Sequence, residues 1–407
     1  MYSFVTYLVS ILLPVIALFN KKINLFVEGR KRTISILKEN IKNTDKVIWI
    51  HVASLGEFEQ GLPIIKRLKI KFPEHKIVVS FFSPSGYEVR KNTTDADVVV
   101  YLPLDISYKV KEFLNVVHPQ MAIFIKYEFW KNYLTELKKR NIPTYLVSGI
   151  FREKQWFFKK YSFGMRKILN NFTYFFVQDQ NSAKLLDSIG LKNVIVSGDT
   201  RFDRVLEILK RDNSLFFIEK FKNNTLCVVF GSSWPEDEEI YLPYINSNPN
   251  LKYIIAPHSL NSNKIQELKD KIKLKTLLFS EKENKNLSDY QVFIIDTIGI
   301  LTKVYNYADV AYVGGGMATG LHNILEPAVF GIPVIIGKNY DKFLEAKDLV
   351  GKGSVLSISN KEKFSEKMNV LVNDSLLRNK LGKDNYNYII QKSGATDTFM
   401  SYIEEKF

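Results

Sequence analysis

The chain has 407 residues, 46% of them apolar, with a formal charge of +14 and a single cysteine, Cys227. That length exceeds one ordinary core and predicts two domains of roughly 170 to 200 residues. The basic balance calls for an anionic partner, yet there is no basic and aromatic interleaving and no zinc-ligand spacing, which argues against nucleic acid; one cysteine excludes an internal disulfide and fits a reducing compartment.

The first twenty residues, MYSFVTYLVSILLPVIALFN, carry no charged side chain. A helix of that length covers about 30 Å, the hydrocarbon thickness of a bilayer. Lys21, Lys22, Arg30, Lys31 and Arg32 follow it. A cleaved signal peptide would carry its basic residues first and a small-x-small site afterwards. Residues 1–20 are therefore expected to be a membrane anchor, with the rest of the chain on the cytoplasmic side. Ser3, Thr6, Ser10 and Pro14 dilute the apolar run, so a helix lying flat in the interface stands beside a spanning one.

Apolar runs of strand length then alternate with amphipathic stretches: KVIWIHV, KIVVSFF, ADVVVYL, MAIFI, TYLVSG, YFFVQ and VIVSG. Unbroken apolar strands separated by helices predict a parallel sheet covered on both faces. The polar stretch LKRDNSLFFIEKFKNNT interrupts the rhythm, which resumes with LCVVFGSS, KYIIAPHS, VFIIDT, DVAYVGGG and PVIIGK. The expected organisation is an α/β doubly wound domain over 21–212, a linker over 213–225, and a second such domain over 226–407 with a helical tail. Ligands of such sheets bind at the carboxyl ends of the strands.

Chemistry concentrates in the loops at those ends. In ADVAYVGGGMATGLHNILEP a strand runs into Gly314, Gly315 and Gly316, and a helix is expected to open near His322 or Asn323. Glycines allow close backbone approach to a phosphate, and a helix start favours an anion. Glu326, one turn on, suits two ribose hydroxyls. Equally, the glycines could make a turn, Asn323 could cap and Glu326 could complement the helix dipole. Gly314, Gly316 and Gly320 miss the G-x-G-x-x-G spacing, which disfavours a nicotinamide enzyme. Ser232 and Ser233 in GSSWPEDEE, and Pro257 and His258 in APHSL, follow two further strands. In the first half, Glu57 in ASLGE and Glu128 in YEFW are two carboxylates at strand ends, a plausible acid/base pair. A helix N-terminal charge is the ordinary alternative, the stronger one for Glu128.

These motifs, in order from the N-terminal segment to about residue 395, resemble the bacterial 3-deoxy-D-manno-octulosonic acid (Kdo) transferases of lipopolysaccharide synthesis. WIHVASLGE, SPSGYE, YLPLD, YEFW, SGDTRFD, GSSWPEDEE, DTIGIL and VGGGMATGLHNILEPAVFGIPVIIG carry the resemblance. It implies a GT-B glycosyltransferase fold of two Rossmann-like domains facing a cleft. It implies a CMP-Kdo donor, a tetraacylated lipid A precursor (lipid IVA) as acceptor, inversion at the anomeric carbon, and neither metal nor cofactor. It puts the general base on Glu57, a second catalytic glutamate on Glu128, and acceptor contacts beside the base at Ser54 and Gly56. Donor binding falls on Ser232, Ser233, Pro257, His258, Gly314, Gly315, Gly316, Asn323 and Glu326. The expected location is the inner membrane.

Three positions depart from the family pattern. Lys126 stands where a first glutamate is usual, His258 replaces an arginine, and Gly320-Leu321 replaces a glycine pair. Two rival readings remain at this level: a GT-B enzyme using a UDP-sugar, and a non-catalytic, membrane-attached nucleotide-sugar-binding protein.

Overall fold

The computed structural model describes residues 2–159, 163–318 and 320–407. The chain divides into two compact units, Met1–Arg204 with Ser393–Phe407, and Val205–Lys392. The first holds a sheet of order β3-β2-β1-β4-β5-β6-β7. Its strands are β1 Lys46–Val52, β2 His75–Phe81, β3 Val98–Tyr101, β4 Met121–Ile125, β5 Thr144–Gly149, β6 Tyr174–Val177 and β7 Val194–Val196. The second holds β10-β11-β9-β8-β12-β13-β14. These are β8 Cys227–Ser233, β9 Lys252–Pro257, β10 Thr276–Leu278, β11 Val292–Ile294, β12 Val310–Val313, β13 Val334–Gly337 and β14 Val355–Ile358.

Every pairing is parallel. Helical crossovers cover both faces, which is why β1 reads as an unbroken apolar run. Val47 and Trp49 enter one core with Phe113 and Phe124, while Ile48, Ile50 and Val52 enter the other with Phe58 and Ile64. The order of strands reverses between β1 and β4 in the first sheet and between β8 and β12 in the second. Beside such a reversal, at the carboxyl ends, neighbouring loops part and leave a crevice.

Three expectations change. The supposed linker 213–225 contains a helix, Phe216–Lys222, with Ile218 and Phe221 buried; Phe221 packs 5.3 Å from the Phe293 ring, in the second unit. The division between units falls instead within the helix Thr200–Leu209. The helical tail also divides. Lys361–Asn373 packs on the second sheet through Phe364, Met368 and Leu371, but Ala395–Lys406 returns to the first, burying Phe399, Met400 and Ile403 there. Each such side chain contributes about 1.5–3 kcal/mol. Asp203 fastens the return by accepting the Gly394 amide at 2.6 Å and both the amide and hydroxyl of Thr396 at 2.7 Å.

At the N-terminus, with Met1 outside the described residues, the apolar stretch forms a 16-residue helix, Tyr2–Ala17. No helix among the described residues is long and apolar enough to cross a membrane. Tyr2 donates its hydroxyl to Asp105 at 2.6 Å, tying the helix to the first unit. Val5, Leu8, Val9, Ile11, Leu12, Val15 and Ile16 stay exposed.

Candidate active site

In the first unit, β1 ends at Val52 and Ser54 is the N-cap of the helix Leu55–Lys71, which makes Glu57 the third helical residue. Ser54 spends its hydroxyl on the Glu57 carboxylate rather than on a backbone amide, although S-x-x-E is the spacing of a capping box. A Cβ built on Gly56 would meet only the Ser54 hydroxyl, at 3.8 Å. The space beside the half-buried Glu57 is therefore open.

Glu128 arrives from β4. Lys126 turns the chain with φ 73° while its amide bonds Val147 at 2.9 Å. The turn brings Glu128 to the end of β1, where Oε2 accepts the Trp130 indole N–H at 2.7 Å and lies 3.2 Å from His51 Nε2. Both carboxylates thus belong to the reversal between β1 and β4. On the same rim, Gln60 donates to Asp199 at 3.1 Å and the Arg201 guanidinium pairs with Asp199 at 2.8 Å. Burial pushes up the Tyr127 phenol, Arg152 and Arg201 oppose the shift, and Asp199 and Glu57 add to it. Sequence reasoning missed His51, Asp199 and Arg201. The available signal was a histidine inside WIHV and a serine inside VVSFF, polar groups that a dry sheet tolerates only when partnered.

In the second unit, β8 ends in Ser232, at φ 54°, and Ser233. Ser233 is buried: its hydroxyl accepts Tyr241 at 3.1 Å and its carbonyl accepts the His258 amide at 2.9 Å. It supports the loop from below. Asp237, also buried, organises the loop above. Its Oδ2 accepts the amides of Trp234 at 2.9 Å and Gly315 at 2.8 Å, and its Oδ1 the Tyr312 hydroxyl at 2.8 Å.

The three glycines sit at the expected place but serve a different need. The Gly314 amide is bonded to Gly231 at 2.9 Å and the Gly315 amide to Asp237, so neither is a free donor for a phosphate. Their necessity is steric. A Cβ would lie 2.4 Å from the Ser232 carbonyl oxygen at Gly314, 2.1 Å from the Gly320 oxygen at Gly315, and 2.8 Å from the Gly337 nitrogen at Gly316. The helix expected to open at His322 or Asn323 starts later and is short, Leu325–Ala328; Thr319 of this stretch lies outside the described residues. Asn323 bonds the Leu325 amide at 3.1 Å and donates to Glu326 at 3.2 Å, and Thr302 holds the other Glu326 oxygen at 3.0 Å.

His258 is exposed and stacks on Trp234, with centroids 4.3 Å apart and planes at 15°. His322 meets His258 at 4.7 Å. Burial, and next His258, lower the His322 pKa. Pro257, His258, Ser233, Trp234 and Lys264 line a recess of about 100 Å³. Cys227 lies inside the core, where burial pushes its thiol up to about 12. Among the described residues no cluster of His, Cys, Asp or Glu could hold a metal ion.

A second, larger groove, of about 380 Å³, runs between the N-terminal helices and the first unit, lined by Leu13, Pro14, Phe26, Arg30, Tyr108 and Lys109. Arg30 is a pin rather than a free cation. Its guanidinium donates to the carbonyls of Leu102, Phe26 and Phe82 at 2.8, 2.9 and 2.7 Å, and burial lowers its pKa to about 9.

Residues 28–204 match the family model described as 3-deoxy-D-manno-octulosonic-acid transferase (kdotransferase). The chain is 28% identical over 370 residues to the 3-deoxy-D-manno-octulosonic acid transferase of Haemophilus influenzae, spanning 88% of this chain and 86% of that protein. It is 29% identical over 343 residues to the transferase of the same name from Aquifex aeolicus, spanning 82% and 88%. Among solved structures, UDP-GlcNAc 2-epimerase from Neisseria meningitidis bound to UDP-GlcNAc superposes with a TM-score of 0.64 over 89% of this chain and all of that one, at 15% identity. That likeness is one of fold, and it agrees with the GT-B class expected from sequence.

Proposed function

We propose that this chain, which is similar to the 3-deoxy-D-manno-octulosonic acid (Kdo) transferases, is a glycosyltransferase that moves Kdo from CMP-Kdo to a hydroxyl of a tetraacylated lipid A precursor, with inversion. The observation that carries the reading is the placement of Glu57 and Glu128 in the segments that follow β1 and β4, the two strands at the reversal of the first sheet. A sugar hydroxyl is a weak acid and needs a base as the anomeric carbon becomes electrophilic. Glu57 fills that role, with open space beside Gly56 for the acceptor and Ser54 orienting the carboxylate. Glu128, held by Trp130, assists on the same rim.

The second unit takes CMP. Glu326, braced by Asn323 and Thr302, binds the ribose hydroxyls. The exposed His258 and the loop of Ser232 serve the phosphate, with Gly314–Gly316 giving that loop its close-packed shape rather than donating the Gly314 and Gly315 amides, and polar groups held there favour departure of CMP without a divalent ion. Inversion by direct displacement needs base and leaving group on opposite faces of the sugar. The apolar N-terminal helix and the basic residues after it suit an anionic lipid acceptor at the inner membrane, with the helix in the interface.

Mass spectrometry of the precursor after incubation with CMP-Kdo tests the proposal. A mass increase of one or more Kdo residues supports it and counts the sugars added. Absence of any increase, with transfer from a UDP-sugar instead, would replace it.

A further inference from the structure

Resting on the reading that the acceptor is an anionic glycolipid, we propose that Lys126, Tyr127 and Arg152 form a phosphate-binding subsite of the first unit, which holds a phosphate monoester of that acceptor on the rim that carries Glu57. Adjacent parallel strands bring the three together. Ile125 of β4 pairs with Val147 of β5, and the Lys126 amide bonds the Val147 carbonyl at 2.9 Å. Both strand ends pass through left-handed residues, Lys126 at φ 73° and Ser148 at φ 54°. Residues other than glycine held in that conformation cluster at ligand sites. Beyond them the Phe129 and Phe151 rings pack 5.8 Å apart, which sets Arg152 against the segment of Tyr127 and Glu128.

The polar heads of this cluster lack acceptors. The Lys126 ammonium lies 5.3 Å from the centroid of the Tyr127 ring, and among the described residues no carboxylate pairs with it. The exposed Arg152 side chain and the Tyr127 hydroxyl are likewise without a hydrogen bond or ion pair among the described residues. Two acids share the rim, and both are already engaged. Asp199 accepts from Arg201 at 2.8 Å and from Gln60 at 3.1 Å, and Glu57 accepts from Ser54. Burial raises the Tyr127 phenol, against Arg152 and then Arg201, so the phenol stays a donor at neutral pH. Glu57 acts on the same phenol, which puts the subsite close to the base. Two unpaired cations and one hydroxyl donor match a phosphate monoester, which carries about −1.5 to −2 charges at neutral pH. A carboxylate would leave one cation uncompensated. Lys126 is also a departure from the family pattern, a positive charge where that pattern has a glutamate.

Two readouts on the full-length protein test the subsite. In protein labelled with 3-fluorotyrosine, with the Tyr127 signal assigned through Tyr127→Phe, inorganic phosphate at constant ionic strength should shift that signal to saturation in fluorine-19 NMR. The double change Lys126→Met with Arg152→Met should abolish the shift. No shift, or one that survives the double change, overturns the subsite. This readout needs no sugar transfer and stands even if the chain uses another donor. In steady-state transfer of Kdo, the double change should raise KM for the phosphorylated precursor at least about tenfold and leave the donor KM within about twofold. It should cost nothing toward a precursor whose phosphates have been removed. An equal loss toward both precursors overturns the proposal. So does a rise in donor KM alone, which would give the two cations to the carboxylate of the transferred sugar.

Discussion

Trp234 donates its indole N–H to Nε2 of His322 at 3.1 Å. The acceptor must present a lone pair, so the bond holds His322 neutral, with its proton on Nδ1. Burial acts in the same direction, and His258 adds to it. A histidine whose pKa falls on folding binds fewer protons in the native state than in the unfolded one. Its contribution to stability is fully present above the unfolded value, about 6.5, and is lost as pH falls from there toward the lower folded value. The melting temperature should therefore drop between pH 7.5 and 5.5, and His322→Gln should flatten that part of the profile. An unchanged slope would remove His322 as its source.

Glu326 is the ribose ligand of the account. Glu326→Ala should weaken CMP binding about tenfold or more, since hydrogen bonds to a charged group contribute about 1.5–3 kcal/mol. Calorimetric titration with CMP measures this directly. Unchanged affinity would return Glu326 to a purely structural bond with Thr302 and Asn323.

The N-terminal helix offers a test of membrane attachment that spares the core, because Leu12 and Ile16 are 49% and 45% exposed. The double change Leu12→Asp with Ile16→Asp should abolish co-flotation with anionic vesicles and leave the melting temperature unaltered. A variant that still floats would shift the attachment to the basic residues beyond Asn20, where raised salt should release it.

Gly315 combines φ 87° with a 2.1 Å approach of its absent Cβ to the Gly320 oxygen. Gly315→Ala should destabilise the second unit by at least about 1–3 kcal/mol, read from urea unfolding. No loss of stability would mean that the loop can relax, and that the glycine serves the ligand after all.

These particulars show what could be read from the chain alone. Strands such as KVIWIHV and MAIFI were legible because burial on both faces leaves a continuous apolar run. β10 and β14 were not: each is a short edge strand with residues only partly buried. Helix Phe216–Lys222 was hidden by polar neighbours, since its buried positions are only Ile218 and Phe221. Glu57 and Glu128 stood out as charges at strand ends. Asp237 and His51 did not, because their roles depend on partners far along the chain. Asp237 serves a glycine 78 residues away and His51 lies beside a glutamate 77 residues away, and only the strand order brings these together. The glycine cluster was visible, but its cause was not. Spacing cannot separate an amide offered to a phosphate from a backbone crowded by Ser232 and Gly337.

The central claim is that Glu57 removes the acceptor proton. Its most direct test is single-turnover Kdo transfer by Glu57→Gln, with CMP-Kdo binding measured on the same sample. The account predicts a loss of about 10²–10⁴-fold in rate with donor affinity within about twofold of the parent. Transfer within a few-fold of the parent rate would contradict it.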